Sequence, residues 1–407
     1  MKKWLIILFI IFGMGFISTA VLAGRVYYQD LKIYTDYDKK ELESAALKNI
    51  YIKSSIPIEI YPTTGTPYVE FNQTFTDLMG AAPEYELNVD IKGESTYIDV
   101  NIIKDTFIWL GVKESTAQLS IYLPQSTINR LNIEDQNYYS YSRRDKQVIN
   151  LEGINVNELD VSMSTGEFIL DGNYGKINIS SRGKMTLNSK SPAQVYINQT
   201  MNQYLSGQFE KINITNNHGG NIVVDSTLPC QINMDIYNGE IDLKGNYSKV
   251  KINGEGNNID LRSDTISQLF TEGYYNTIIA NGPFENLDFN ENRSKIEIKS
   301  TITPNKFSMG RESEGNDVSL TLPSNIPGFK VKYLSNYATS ADDFDYYLEN
   351  VFNSRNLQSD FELVKGKTSD NELVYSYGDG SLAITLEIND DNTLEIIDGG
   401  YSSSTVE

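Results

Sequence analysis

Between residues 155 and 300 apolar residues come in pairs that flank a single variable position: Leu159/Val161, Ile177/Ile179, Val195/Ile197, Ile212/Ile214, Ile232/Met234, Val250/Ile252 and Leu287/Phe289. Counted by first members, with Leu269 included, the steps are 18, 18, 17, 20, 18, 19 and 18 residues. A second set interleaves with the first: Phe168/Leu170, Met185/Leu187, Ile222/Val224, Ile241/Leu243, Ile259/Leu261 and Ile296/Ile298. Alternation of period two marks half-buried strands, and a constant step marks stacked coils. One coil cannot bury its inner face alone, so a core exists only in the stack. The pattern therefore predicts an all-β fold, a parallel β-solenoid (β-helix-like) built from repeat units of about 18 residues. Asn202 to Ser206 break the pattern and read as an irregular rung.

A longer beat runs through the corners. Gly-x-aromatic-x-Lys/Asn-aliphatic recurs at Gly172 to Ile177, Gly207 to Ile212, Gly245 to Val250 and Gly282 to Leu287. Midway between these stand Gln194-Val195, Gln231-Ile232 and Gln268-Leu269, each 37 residues from the next. Two readings fit: a short coil with two alternating corner types, or one physical turn of double length carrying four strands. Ser164-Thr165-Gly166, Asn238-Gly239 and Gly256-Asn257 supply turn residues between the strands.

The chain begins differently. Trp4 to Ala23 are 20 consecutive uncharged residues, which as a helix span roughly 30 Å, the thickness of a bilayer's hydrocarbon core. Residues 1–24 are thus expected to be a transmembrane signal-anchor, with a cleaved signal peptide as the rival reading. Lys2-Lys3 favour an inside N-terminus, which places the bulk of the chain outside the cytoplasm of a cell whose membrane holds residues 4–23. Residues 25–48, rich in charge, read as a juxtamembrane stalk with a short helix over Asp38 to Leu47.

The remaining domain organisation follows from the repeats. Residues 49–398 form the solenoid domain, with 49–135 as N-terminal cap, 155–300 as regular repeats and 316–398 as C-terminal cap; 399–407 are a tail. Leu119 to Pro124 and Val318 to Pro323 are alternating strands that end in Leu-Pro. Proline donates no ladder hydrogen bond and suits a strand end or an edge, and the ends of a solenoid must be covered. Ala341 to Phe352, preceded by Ser340 as a cap, carries apolar residues at helical spacing and predicts one short helix near the C-terminal cap.

These units resemble the bacterial putative-adhesin domain family of unknown function, found on anchored envelope proteins of Gram-positive bacteria. The resemblance rests on the strand-turn-strand repeats, the two Leu-Pro strands, the opening strands at Asn49 to Tyr61 and the Gly-rich hairpin Tyr377-Gly378-Asp379-Gly380-Ser381. It implies a non-enzymatic surface protein and carries over no catalytic residue.

Composition narrows the function. Lys and Arg number 34 against 54 Asp and Glu, a net charge of −20. Such a surface is repelled by nucleic acid, whose binding requires phosphate neutralisation. One Cys, Cys230, cannot form an internal disulfide, and one His, His218, excludes multi-His metal sites. His218 lies in Asn216-Asn217-His218-Gly219-Gly220 and reads as an exposed turn residue. No phosphate loop, dinucleotide fingerprint, zinc motif or nucleophile elbow is present, so neither cofactor nor catalytic residue is expected.

Two features stand out as candidate sites. Asp242 and Asp260 share the outward face of adjacent rungs, about 4.8 Å apart, and are the weak candidates for a cation. Tyr138, Tyr139, Tyr141, Arg143 and Arg144 lie within seven residues, and Tyr with Arg is the composition of recognition surfaces. The expected function is a non-enzymatic, membrane-tethered envelope protein presenting a solenoid for interaction, adhesion or scaffolding. Its expected partner is an envelope protein or a surface polysaccharide. The alternatives are a carbohydrate-active β-helix enzyme, a polysaccharide lyase or hydrolase with clustered carboxylates, and an accessory sensor of an envelope-stress system.

Overall fold

The computed structural model describes residues 32–77, 84–104, 115–136, 147–199, 202–309, 315–335, 357–367, 373–380, 382–388 and 392–400. Residues 4–23, the helix expected at 341–352, and the segment 138–144 lie outside them. Among the described residues no helix is long and apolar enough to cross a membrane. Two compact units are present, one within residues 1–125 and 132–148, the other within 126–131 and 149–407.

In the first unit Lys32–Glu41 pairs antiparallel with Tyr68–Asp77, which pairs antiparallel with Ser115–Pro124. The stalk expected over 25–48 is therefore strand from Lys32, and its predicted helix reduces to one 3-10 turn at Ser44–Ala46. The reason lies in the pairing: ten residues of that segment find partners along the whole of Tyr68–Asp77, a gain that overrides weak local helix propensity. Ser115–Pro124 also pairs in parallel with Ile58–Thr63, so this Leu-Pro strand has neighbours on both sides and is not an edge. Pro124 sits at its last position, opposite Thr63, where a missing donor matters least.

In the second unit the chain winds through short parallel rungs. Leu159 lies beside Ile177, Val195 beside Ile212, Ile212 beside Ile232, and Ile232 beside Val250. The column continues through Leu269, Leu287 and Phe307. A second column runs Leu187, Leu205, Val224, Leu243, Leu261, Ala280, Ile298 and Leu320. All of these side chains are buried. Val195 sits beside Ile212 and not beside Ile232, so the physical turn is the short coil, about 19 residues long. Asn202 to Gly207, at the start of the strand Asn202–His218, run in continuous register with their neighbours; the expected irregularity comes down to Gln203, buried where other rungs place an apolar residue.

Why, then, does the sequence repeat at double length? Gly172, Ser189, Gly207, Ser226, Gly245 and Ser263 form one stacked corner in which glycine and serine alternate. Each serine bends its corner by donating its hydroxyl two residues onward, as Ser226 Oγ does to Leu228 O at 2.8 Å. Each intervening glycine rests against the preceding serine's backbone: a Cβ on Gly245, at φ 108°, would lie 2.2 Å from Ser226 O. Side-chain size alternates inside the same corner. Ala193 packs beside Phe209, Cys230 beside Tyr247 and Ser267 beside Phe284. Large and small residues must alternate in a column where two rings on successive rungs would overpack. The long beat is thus a packing period laid over a shorter coil.

The stack ends on returning strands. Asp317–Leu322 pairs in parallel with Thr393–Asp398, and Lys306–Met309 with Leu382–Ile388. Gly328–Ser335 pairs in parallel with Leu382–Ile388 and antiparallel with Leu373–Gly378, which pairs antiparallel with Val364–Lys367. Asp317–Leu322, before the second Leu-Pro, lies between Lys295–Ser300 and Thr393–Asp398, so it too is internal and not an edge.

Candidate functional site

Of the candidate site residues singled out in the sequence, the described ones are Asp242 and Asp260. Asp242 and Asp260 are register partners on adjacent rungs. Each is engaged by a cation of its own strand: Lys244 Nζ donates to Asp242 at 2.6 Å, and Arg262 Nη2 to Asp260 at 2.7 Å. The outward column containing them reads Thr186, Tyr204, Val223, Asp242, Asp260, Ile279 and Glu297. Tyr204 and Ile279 were missed in the sequence because their rungs break the apolar-pair pattern. Among the described residues no group of three or more His, Cys, Asp or Glu is placed to hold a metal. Cys230 is buried, and burial pushes its thiol up to about 12, which leaves no thiolate for chemistry.

A different edge of the second unit gathers chemically capable groups. At the turn following the first strand column, successive coils place Gly219, Asn238, Gly256, Tyr275, Arg293 and Gly315 in the left-handed region, with φ between 52° and 75°. Their amides are tied to the next rung: Asn238 N to Glu255 O at 2.8 Å, Gly256 N to Tyr274 O at 2.9 Å and Tyr275 N to Asn292 O at 2.9 Å. Behind them runs a buried ladder of polar side chains. Gly239 N donates to Asn257 Oδ1, Asn257 N to Asn276 Oδ1, Asn276 N to Ser294 Oγ, and Ser294 N to Asn316 Oδ1, all at 2.9–3.0 Å. The ladder satisfies turn amides that would otherwise be orphaned in the interior.

Outside this ladder aromatic side chains stand among polar and charged ones. His218 and Tyr237 are register partners with rings stacked 5.2 Å apart. Tyr237, Tyr274 and Tyr275 are 36%, 53% and 52% exposed. Arg293 lies over the Tyr275 ring, 5.9 Å from its centroid, and its Nη1 donates to the Tyr275 hydroxyl at 2.9 Å. His218 is exposed beside its glycines, in keeping with its sequence reading. The tyrosines were not singled out in the sequence, although a signal existed: they immediately precede, or occupy, the turn position, as in Tyr237-Asn238-Gly239 and Tyr274-Tyr275-Asn276.

Fold and edge together define an all-β solenoid unit with an aromatic turn edge. No family model and no curated protein matches the chain. Among solved structures, a "putative cell adhesion protein from Clostridium sporogenes ATCC 15579" aligns over 89% of this chain and 98% of its own, at 8% identity and a TM-score of 0.18. A similarity of that size supports no statement about this chain's fold or activity.

Proposed function

We propose that the chain is a non-enzymatic envelope protein whose solenoid is an interaction surface, used for adhesion or scaffolding. In this reading residues 4–23 tether it to the cell membrane and the bulk of the chain stands outside the cytoplasm. The observation that carries the proposal is the turn edge, where exposed rings are mounted on a backbone braced by a buried hydrogen-bond ladder. Rigid amphipathic rings bind with little loss of conformational freedom. The Tyr138 to Arg144 segment, with its concentration of Tyr and Arg, is a second contact in the same proposal.

The test is sedimentation of the full-length chain, in detergent, with purified wall-containing envelope material. Retention on the pellet without release of reducing ends or unsaturated sugar products is the expected result. Replacement of Tyr138, Tyr139, Tyr141, Arg143 and Arg144 by Ser is expected to weaken retention. Catalytic cleavage of the polysaccharide overturns the non-enzymatic reading, and failure to sediment overturns the interaction reading.

A further inference from the structure

We infer that the aromatic turn edge is a binding site for a neutral, hydroxyl-rich glycan chain laid along the solenoid axis. This rests on the interaction reading above and adds a ligand class and a site to it.

The first observation is the residue choice in the left-handed column. Gly219, Gly256 and Gly315 adopt that conformation freely, and Asn238 tolerates it. Tyr275 and Arg293, at φ 57° and 52°, adopt it at a penalty of about 1–2 kcal/mol each. Glycine would serve the turn better at both positions. A bulky side chain held in a strained conformation on the surface points to a role for that side chain, and here the two strained residues form one unit through the Arg293–Tyr275 hydrogen bond.

The second observation is spacing. Tyr237, Glu255 and Tyr274 are register partners on three successive rungs, so the two rings stand about 10 Å apart along the axis. That is about the length of a disaccharide in an extended chain. Rings at this interval meet the apolar faces of alternate sugars and leave the intervening sugar opposite Glu255.

The third observation is charge. Glu240, Glu255 and Asn238 are exposed at this turn, and Asn292 is half-exposed on the rung after Tyr274. The exposed Arg293 is held by the Tyr275 hydroxyl, and Lys295 is paired with Glu297. Carboxylates and amide oxygens accept hydrogen bonds from hydroxyl groups, whereas an anionic ligand meets these acids and a net charge of −20. Apolar ring faces with hydroxyl donors and no negative charge describe a neutral glycan.

The experiment is native affinity electrophoresis of the full-length chain, in detergent, through gels containing a soluble neutral β-glucan, a neutral α-glucan, or a polyuronate. Wild type is expected to be retarded by a neutral glucan and not by the polyuronate. Tyr237→Ala with Tyr274→Ala is expected to weaken retardation at least tenfold in apparent Kd. Tyr275→Gly with Arg293→Gly is the variant that keeps folding out of the question: its melting temperature is expected to equal or exceed wild type, because glycine relieves the strained turn, while retardation falls at least fivefold. Wild-type mobility unchanged in both neutral glucans, stronger retardation by the polyuronate, or full retardation of both variants overturns the inference. If envelope sedimentation persists in any of those cases, the interaction reading stands and only the glycan site falls.

Discussion

At Gly245 three constraints coincide: a φ of 108°, a serine backbone 2.2 Å from any added Cβ, and a buried Tyr247 two residues on. Gly245→Ala is expected to destabilise the chain by roughly 3 kcal/mol, combining a strained backbone with displacement of the rung below. Ser226→Ala, at the same corner one rung earlier, removes the hydroxyl bond to Leu228 O and the hydroxyl's contact with the Cys230 thiol, and is expected to cost about 1 kcal/mol. Denaturant titration of the two variants checks the ranking, and equal midpoints would show that glycine is not obligatory there. Glu291 is the other residue whose setting decides its chemistry. It is fully buried, and Oε2 accepts from Asn276 Nδ2 and Ser294 Oγ, both at 2.9 Å. Burial raises its pKa above the ordinary 4.5, against hydrogen bonds from Asn276, Thr271 and Ser294 that lower it, and the nearby Glu272 charge raises it further. A carboxyl whose folded-state pKa is raised binds its proton more tightly folded than unfolded. Its contribution is complete below 4.5 and is lost as pH rises through the folded-state value. Glu291→Gln keeps the shape without the charge, so its melting temperature is expected to gain on wild type as pH rises from 4.5 to 8. A gap independent of pH would show that Glu291 ionises normally.

At the scale of the element, the rung is stable only through its neighbours. Leu243 touches Val224 on one side and Leu261 on the other and is fully buried. Leu243→Asp places an unpaired charge in that column and is expected to cost roughly 4 kcal/mol or more. The measurement is a thermal melt, and a wild-type melting temperature would remove Leu243 from the core. Rungs also explain why one sheet face tolerates two facing aspartates. Asp242 and Asp260 are opposite each other, a pairing that is unfavourable in isolation, but Lys244 and Arg262, themselves register partners two residues along the same strands, each pair with the aspartate of their own strand and make the group of four neutral. These exposed pairs add little stability of their own; they remove a repulsion.

For the whole chain, charge and placement act together. A net charge of −20 limits association with anionic polymers. Where the protein works depends on its N-terminal 20 uncharged residues. If they are an anchor, N-terminal sequencing of protein isolated from its native membrane yields Met1 or Lys2, and high salt or carbonate washing does not release it. A mature chain starting at Gly24 would instead make it a secreted protein.

The apolar pairs and their steps determined the solenoid, because period-two alternation at a constant step has few other physical solutions. His218 also behaves as its surroundings in the sequence imply, exposed at a turn. The coil length was another matter. Both an 18-residue and a 37-residue period are written into the chain, and only the strand register, with Val195 beside Ile212, decides between them. The long period proved to be an alternation of Gly with Ser and of ring with small side chain across stacked corners, which is a relation between residues distant in sequence. Pairing likewise turned Lys32–Glu41 into strand and gave both Leu-Pro strands a neighbour on each side, since backbone hydrogen bonds to a remote strand are invisible in local composition. The aromatic edge belongs to the same class. Tyr237, Tyr274 and Arg293 are scattered over 57 residue numbers, and it is the rise of one rung per coil that sets them in a row.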